Sequence, residues 1–314
     1  MQQTKIASNH LEVYLHLPGM PPVSERFDRA AVVEQVVLNG THRFCEPEQV
    51  KPERVTCYGM GISGEFSGPG WAEQAAPGQL FPKLGVGLLT QRPEGGPHTV
   101  WRHYEIDPFE TEVYLQEDRA LFIQQPKPCM GIAARIYKEL RVYRNTLTLS
   151  TMLENVGERA LELTEYQHNF FSIDHLPVGP GYRLEVPFDG EISAIADATR
   201  TMVPGEKGEL LPGALTAQGQ TIVWNQPIVN SSFYKATESA GILPMARYGW
   251  KLSHEDSPCS VREDVSFVPA RLAVWGIEHC ICAEVFAPIS VQPGGRQAYS
   301  RTWTFEDEQT NGTK

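Results

Sequence analysis

Thr146-Leu-Thr-Leu-Ser-Thr-Met-Leu153 alternates with period two, the pattern of a strand with one face buried and one face wet. Just before it, Tyr143-Arg-Asn-Thr146 reads as a tight reversal, and the run from Ile132 to Tyr143 is rich in β-formers. The whole stretch predicts an antiparallel hairpin. Outward from it the pattern repeats. Short runs rich in Val, Ile, Leu, Tyr and Thr occupy Ala31 to Leu38, Gly85 to Thr90, Val113 to Gln116, Ala120 to Gln124 and Leu161 to Tyr166. Others follow at Tyr182 to Val186, Thr221 to Trp224, Arg247 to Leu252, Val261 to Val268, Arg271 to Gly276, Ile281 to Phe286 and Ala298 to Phe305. Gly and Pro clusters such as Gly179-Pro-Gly181 and Pro293-Gly-Gly295 separate the runs and favour turns. No long stretch carries apolar residues at spacings of three and four. The expected fold is therefore all-β, a large antiparallel β-sandwich with at most short helices.

No composition break, linker or fixed-period repeat divides the 314 residues. One domain over 1–305 is expected, with a polar tail over 306–314 and a turn-rich surface excursion from Ala196 to Gln220. With 41% hydrophobic residues the chain can bury a substantial core. The formal net charge is −11, with Lys and Arg scattered singly, a balance that repels phosphate backbones and anionic lipid. Nucleic acid and membrane are excluded as expected partners, and a small neutral molecule fits better. No apolar run approaches the length of a membrane span, and Met1 to Met20 lacks the basic-then-apolar order of a signal peptide. A cytoplasmic protein with reduced cysteines is expected. His279-Cys-Ile-Cys282 suggests a metal at first sight, but no second Cys or His pair completes a tetrahedral set. No metal is expected.

Two ionisable residues stand in apolar strand contexts: His168 in Glu165-Tyr-Gln-His-Asn-Phe-Phe171 and Glu284 in Cys280-Ile-Cys-Ala-Glu-Val-Phe286. A buried histidine is most often simply hydrogen-bonded. Glu284 is more telling, because strand alternation puts Phe286 on its own face, and a carboxylate beside an aromatic suits a sugar site. Trp101, Trp224, Trp250 and Trp275 are either sugar platforms or core. Asp174 and His175 are either a second acid/base couple or turn residues.

The order of these landmarks carries a resemblance. Leu153-Glu-Asn-Val-Gly-Glu158 precedes the His168 strand; Ile281-Cys-Ala-Glu-Val-Phe286 precedes Val291-Gln-Pro-Gly-Gly295 and Tyr299-Ser-Arg-Thr-Trp-Thr-Phe305. This resembles the aldose 1-epimerase (galactose mutarotase-like) family, which implies the galactose mutarotase-like supersandwich and a carbohydrate substrate. By that resemblance His168 is the general acid and Glu284 the general base of anomer interconversion, facing each other across a sugar ring. One group takes the proton of the anomeric hydroxyl while the other protonates the ring oxygen, so the ring opens, rotates and recloses. No cofactor is implied.

The chain also departs from the family. Where a second histidine is expected upstream, Phe81-Pro-Lys-Leu-Gly-Val-Gly87 carries Lys83, and His98 and His103 are other candidates for that role. Gly59-Met-Gly-Ile-Ser-Gly-Glu-Phe66 reads as a flexible loop that brings Glu65 to the rim of a concave face, or as a plain turn. Glu65, Lys83, His103 and Asn169 are the candidate substrate-binding residues. The Lys83 departure keeps two other readings open: a lyase or isomerase acting on an oxidised or anionic sugar or glycoside, and a non-catalytic sugar-binding protein. None of these motifs sets the oligomeric state.

Overall fold

The hairpin forms. In the computed structural model Ala134–Tyr143 and Thr146–Asn155 pair antiparallel with Tyr143 opposite Thr146, leaving Arg144 and Asn145 as a two-residue turn. Arg144 takes φ 52°, the left-handed conformation that such turns need. Leu147, Leu149 and Leu153 are buried, while Thr148 and Ser150 are not, as the alternation requires. The structure describes residues 4–21, 23–48, 59–100, 102–186, 196–197, 214–218, 220–229, 232–238 and 247–308. Trp101 and most of the expected excursion from Ala196 to Gln220 lie outside these residues.

Among the described residues two ten-stranded antiparallel sheets carry the fold. The first runs Thr4–Ala7, Leu11–His16, Val32–Leu38, Ile62–Ser67, Leu161–Asn169, Cys280–Val291, Arg271–Ile277, Phe233–Glu238 and Ala196–Asp197, with His42–Arg43 hung on Val32–Leu38. The second runs Leu215–Gln218, Thr221–Trp224, Tyr182–Glu185, Tyr248–His254, Cys259–Val265, Arg296–Asp307, Thr146–Asn155, Ala134–Tyr143, Arg119–Gln124 and Thr111–Leu115. A small sheet of Leu80–Lys83, Gly87–Thr90 and Ile106–Pro108 stands apart from both. Among the described residues the α-helix is a single turn, Trp71–Gln74, and no helix is long and apolar enough to cross a membrane.

The sheets meet through two apolar clusters, the larger of them at one end of the shared interior. Val33, Val36 and Val285 of the first sheet pack with Leu140, Leu149, Trp250, Trp303 and Phe305 of the second, the interdigitation that holds a β-sandwich together. Trp224, Trp250 and Trp303 are thereby core. Ions share this interior. Lys138 Nζ lies 2.7 Å from Asp28 Oδ2, and Arg301 bridges Glu165 (2.8 Å) and Glu263 (3.1 Å), all five side chains essentially without solvent exposure. Trp250 Nε1 donates to Glu263, and Gln167 donates to Glu165. Buried charges persist only when they are paired, and each of these has a partner of opposite sign.

Gly59–Phe66 corrects the expected loop. Ile62–Ser67 is a strand inside the first sheet, pairing residue for residue with Thr164 to Asn169 of the strand Leu161–Asn169. Neighbours on both sides supply ladder hydrogen bonds, and that outweighs the turn preference of its glycines. Gly64 has a packing reason to lack a side chain: a Cβ there would stand 2.8 Å from Gln167 Nε2 and 3.2 Å from Lys138 Nζ.

Candidate active site

Alternation along Leu161–Asn169 decides what faces where. Leu161, Leu163, Glu165, Gln167 and Asn169 turn into the sandwich, whereas Tyr166, His168 and Phe170 take the outer face. On Cys280–Val291, Ile281, Ala283 and Val285 join the inner core, so Glu284 and Phe286 share the outer face with His168. Glu65 joins them because it is registered opposite Tyr166, with Ser63 opposite His168. Three strands thus deliver an imidazole and two carboxylates to one patch.

The patch is dense and closed. Glu284 Oε1 lies 2.9 Å from His168 Nδ1, an ion-pair contact out of line with the ring N–H. At the other ring nitrogen, Arg26 Nη2 is 2.9 Å from Nε2 and Glu65 Oε2 is 3.6 Å away. Arg26 Nε donates to Glu65 Oε2 at 2.7 Å, Tyr166 donates to the same oxygen at 2.7 Å, and Lys83 Nζ donates to Glu65 Oε1 at 3.0 Å and to the Phe66 carbonyl at 2.8 Å. Glu48 Oε1 stands 3.7 Å from Arg26 Nη1, and Glu48 Oε2 accepts from the Gly59 amide at 2.8 Å. Aromatic rings wall the cluster: Phe170 stacks on His168 at 5.4 Å, Phe27 meets it edge-on at 5.0 Å, and Tyr166 stacks on Phe286 at 4.1 Å.

The electrostatics follow from this geometry. Burial alone would raise Glu65, but Arg26, then Lys83 and His168, outweigh it and hold the carboxyl well below its usual range. Glu48 goes the other way: burial outweighs Arg26 and raises it. Burial and Arg26 oppose a proton on His168, yet the Glu284 carboxylate, aided by Glu65, prevails and raises its proton affinity. A neutral ring accepts from Arg26 at Nε2. A second proton placed there must turn to Glu65, so the charge state of His168 decides which neighbour holds Nε2.

The Glu65 shift has a sign that can be checked. A depressed folded pKa contributes stability that is complete above the unfolded value of about 4.3 and is lost as pH falls through the folded value. The urea midpoint of Glu65→Gln should therefore sit furthest below wild type near neutral pH, and the gap should shrink from about pH 5 downward.

The remaining candidates separate. Lys83 is in the cluster, held by Glu65. Asn169 is not: it is fully buried on the inner face, donating to the Ala283 carbonyl at 2.6 Å and accepting from Trp303 Nε1 at 3.0 Å. Position 169 differs in parity from 168, so the two cannot share a face. His103 is an exposed surface residue paired with Glu25 at 2.9 Å. His98 instead stacks on Tyr104 and lines a cleft of about 370 Å³ together with Glu65, Phe66, Trp71 and Lys83. Burial, with Lys83 nearby, pushes His98 down to about 4, so it meets a ligand as a neutral ring. Trp275 walls the cluster through Phe170. Asp174 and His175 are no couple; Asp174 binds His42, and His175 binds Glu46.

Arg26 and Glu48 are new. Neither carries a strand signal, because Ser24-Glu-Arg-Phe27 is loop and reaches the cluster only through tertiary structure. Tyr166 and Phe170 were legible by parity with His168. His168 and Glu284 also correct the expected arrangement, since at 2.9 Å they touch and no sugar ring fits between them.

The sequence matches no family model and no curated protein. Solved structures do match. A candidate aldose 1-epimerase from Escherichia coli K12 aligns over 97% of this chain and 99% of its own at 11% identity, with a TM-score of 0.59. The galactose mutarotase related enzyme of Lactobacillus acidophilus aligns over 97% of each chain at 12% identity, with a TM-score of 0.58. A galactose mutarotase-like protein from Lactobacillus casei aligns over 97% of this chain and all of its own at 14% identity, also at 0.58. At such identities the likeness is one of architecture, and the chain has the galactose mutarotase-like β-sandwich fold.

Proposed function

We propose that this protein is a sugar isomerase of the aldose 1-epimerase type, acting by acid/base ring opening with His168 and Glu284. The observation that carries the reading is the contact of these two side chains on one sheet face, with Glu65, 3.6 Å from His168, lining a cleft of about 370 Å³, within the size range of small-molecule sites. Contact between acid and base suits the reaction. The hydroxyl that loses a proton and the ring oxygen that gains one are bonded to the same anomeric carbon, so adjacent groups reach both. Glu284 takes the hydroxyl proton, His168 delivers one from Nε2 to the ring oxygen, and reclosure reverses the roles. The sugar enters past Glu65 and Lys83, and its ring oxygen replaces Arg26 at Nε2. The fold of the neighbours supports this reading only by analogy.

Saturation-transfer NMR on glucose and galactose tests it directly. Exchange between anomers should accelerate in proportion to protein concentration; no acceleration with any free aldose rejects the assignment.

One observation favours a second reading, a sugar-binding protein without catalysis. Both ring nitrogens of His168 already have protein neighbours, and Arg26 is itself buried. Calorimetric binding of a monosaccharide with buffer-level exchange would select it. Chemistry at carbon is less suited, because Lys83 is committed to Glu65 and the Phe66 carbonyl rather than free to stabilise an enolate. Deuterium entering a carbon position of the product from heavy water would select that reaction instead.

A further inference from the structure

We propose that His42, Cys259 and Asp307 form a site for one borderline-soft divalent cation of the zinc type. No motif in the sequence marks this site, because its three donors stand far apart along the chain. The fold assembles them. Cys259 and Asp307 are directly opposed in the ladder between Cys259–Val265 and Arg296–Asp307, so both side chains leave the same sheet face as neighbours. His42 comes from the other sheet, on the short strand paired with Val32–Leu38.

One ligand atom of each residue, an imidazole nitrogen, the Sγ and a carboxylate oxygen, lies within 4.8 Å of the other two. Around a tetrahedral zinc with bonds of about 2.0–2.3 Å the donors stand roughly 3.5 Å apart, so closing onto an ion needs only modest side-chain movement. The mixed N, S, O set is one that zinc accepts and magnesium or calcium does not. Three protein ligands leave a fourth position for water, and His42, about one-fifth exposed, leaves a path for it.

An independent feature points the same way. Asp174 Oδ2 is 2.8 Å from His42 Nδ1, so with Nδ1–H held there Nε2 is the nitrogen left to ligate. A carboxylate behind a histidine is the usual outer partner of a metal-bound imidazole. Asp174 is itself fixed: Oδ1 accepts from the Arg43 amide at 2.9 Å, its own amide donates to the Arg43 carbonyl at 2.8 Å, and its backbone adopts φ 52°. Asn39 Nδ2, 3.3 Å from Asp307 Oδ2, adds a further tie. The ion would cross-link the two sheets.

The test uses the full chain, stripped with a chelator and dialysed against zinc, then read by native mass spectrometry and metal analysis. One equivalent is expected in wild type and none in Cys259→Ser; Asp174→Asn should weaken binding by about 10–100-fold. Cobalt(II) in place of zinc should give a thiolate-to-metal charge-transfer band that Cys259→Ser lacks. Circular dichroism checks the fold of each variant. If Cys259→Ser does not fold, His42→Gln carries the same expectation of lost binding from a more exposed position. Wild type retaining no zinc, or a folded Cys259→Ser or His42→Gln variant retaining zinc with wild-type affinity, overturns the proposal.

Discussion

Glu284→Gln is expected to lower accelerated anomer exchange by roughly 10²–10⁴-fold, the range typical of losing a positioned acid/base group. The substitution keeps shape and removes charge. It acts twice: the base that accepts the hydroxyl proton is gone, and so is the carboxylate 2.9 Å from His168 Nδ1 that raises the histidine's proton affinity against burial. His168 should then hold its proton only at lower pH. Any residual exchange in the variant should decline from a lower pH upward than in wild type. The linkage gives a second readout. A histidine with a raised folded pKa contributes stability below its unfolded value of about 6.5 and loses it as pH rises through the folded value. Glu284→Gln removes that contribution, so the variant's stability should depend less steeply on pH in this window. Saturation-transfer NMR across a pH series, with urea melts at the same pH values, measures both. Exchange at the wild-type rate and with the wild-type pH profile would show that Glu284 is neither base nor orienter.

Arg301→Leu should produce the largest loss of stability, about 3–5 kcal/mol, the usual cost of breaking a buried ion pair by removing one partner. The guanidinium bridges Glu165 and Glu263, and none of the three has meaningful access to water. Burial already pushes Glu263 up despite Arg301; without the arginine that carboxyl loses its counter-charge and holds its proton more tightly still. The folded state would then bind more protons than the unfolded one, so the variant loses stability as pH rises. Its deficit against wild type should be smallest in acid and largest above the carboxylate range. Urea denaturation at several pH values measures this, and a deficit below about 1 kcal/mol throughout would place the ions in a wetter setting than their burial indicates.

Period-two alternation was enough to recognise a β-sandwich, because each half-buried strand states its own face. What alternation misses are segments whose pairing is decided by neighbours. Leu11–His16 does alternate, with Leu11, Val13 and Leu15 buried, but Gly64 of Ile62–Ser67 and the glycines just before it look like turns until strands close on both sides. The same limit shaped the site. His168 and Glu284 stand out as ionisable residues in apolar runs, and Glu65 and Lys83 reach the same cluster. Arg26 and Glu48 come from irregular backbone, where no period exists to reveal a direction. Asn169 was adjacent in sequence, yet adjacency on a strand means opposite faces. The His42, Cys259, Asp307 constellation was least legible of all, since each member belongs to a different strand and only the folded chain makes them neighbours.

The strand Leu161–Asn169 serves both the ion network and the acid/base cluster, and this divides its positions for protein engineering. Changes at 166, 168 and, just past the strand's end, 170 would act first on the acid/base cluster, whereas changes at 165, 167 and 169 would be felt as expression yield and heat tolerance. A library that randomises all six together would confound lost activity with lost folding. A single-residue deletion in this strand would send the histidine inward and a buried acid outward, so functional variants should carry substitutions here and almost never insertions or deletions.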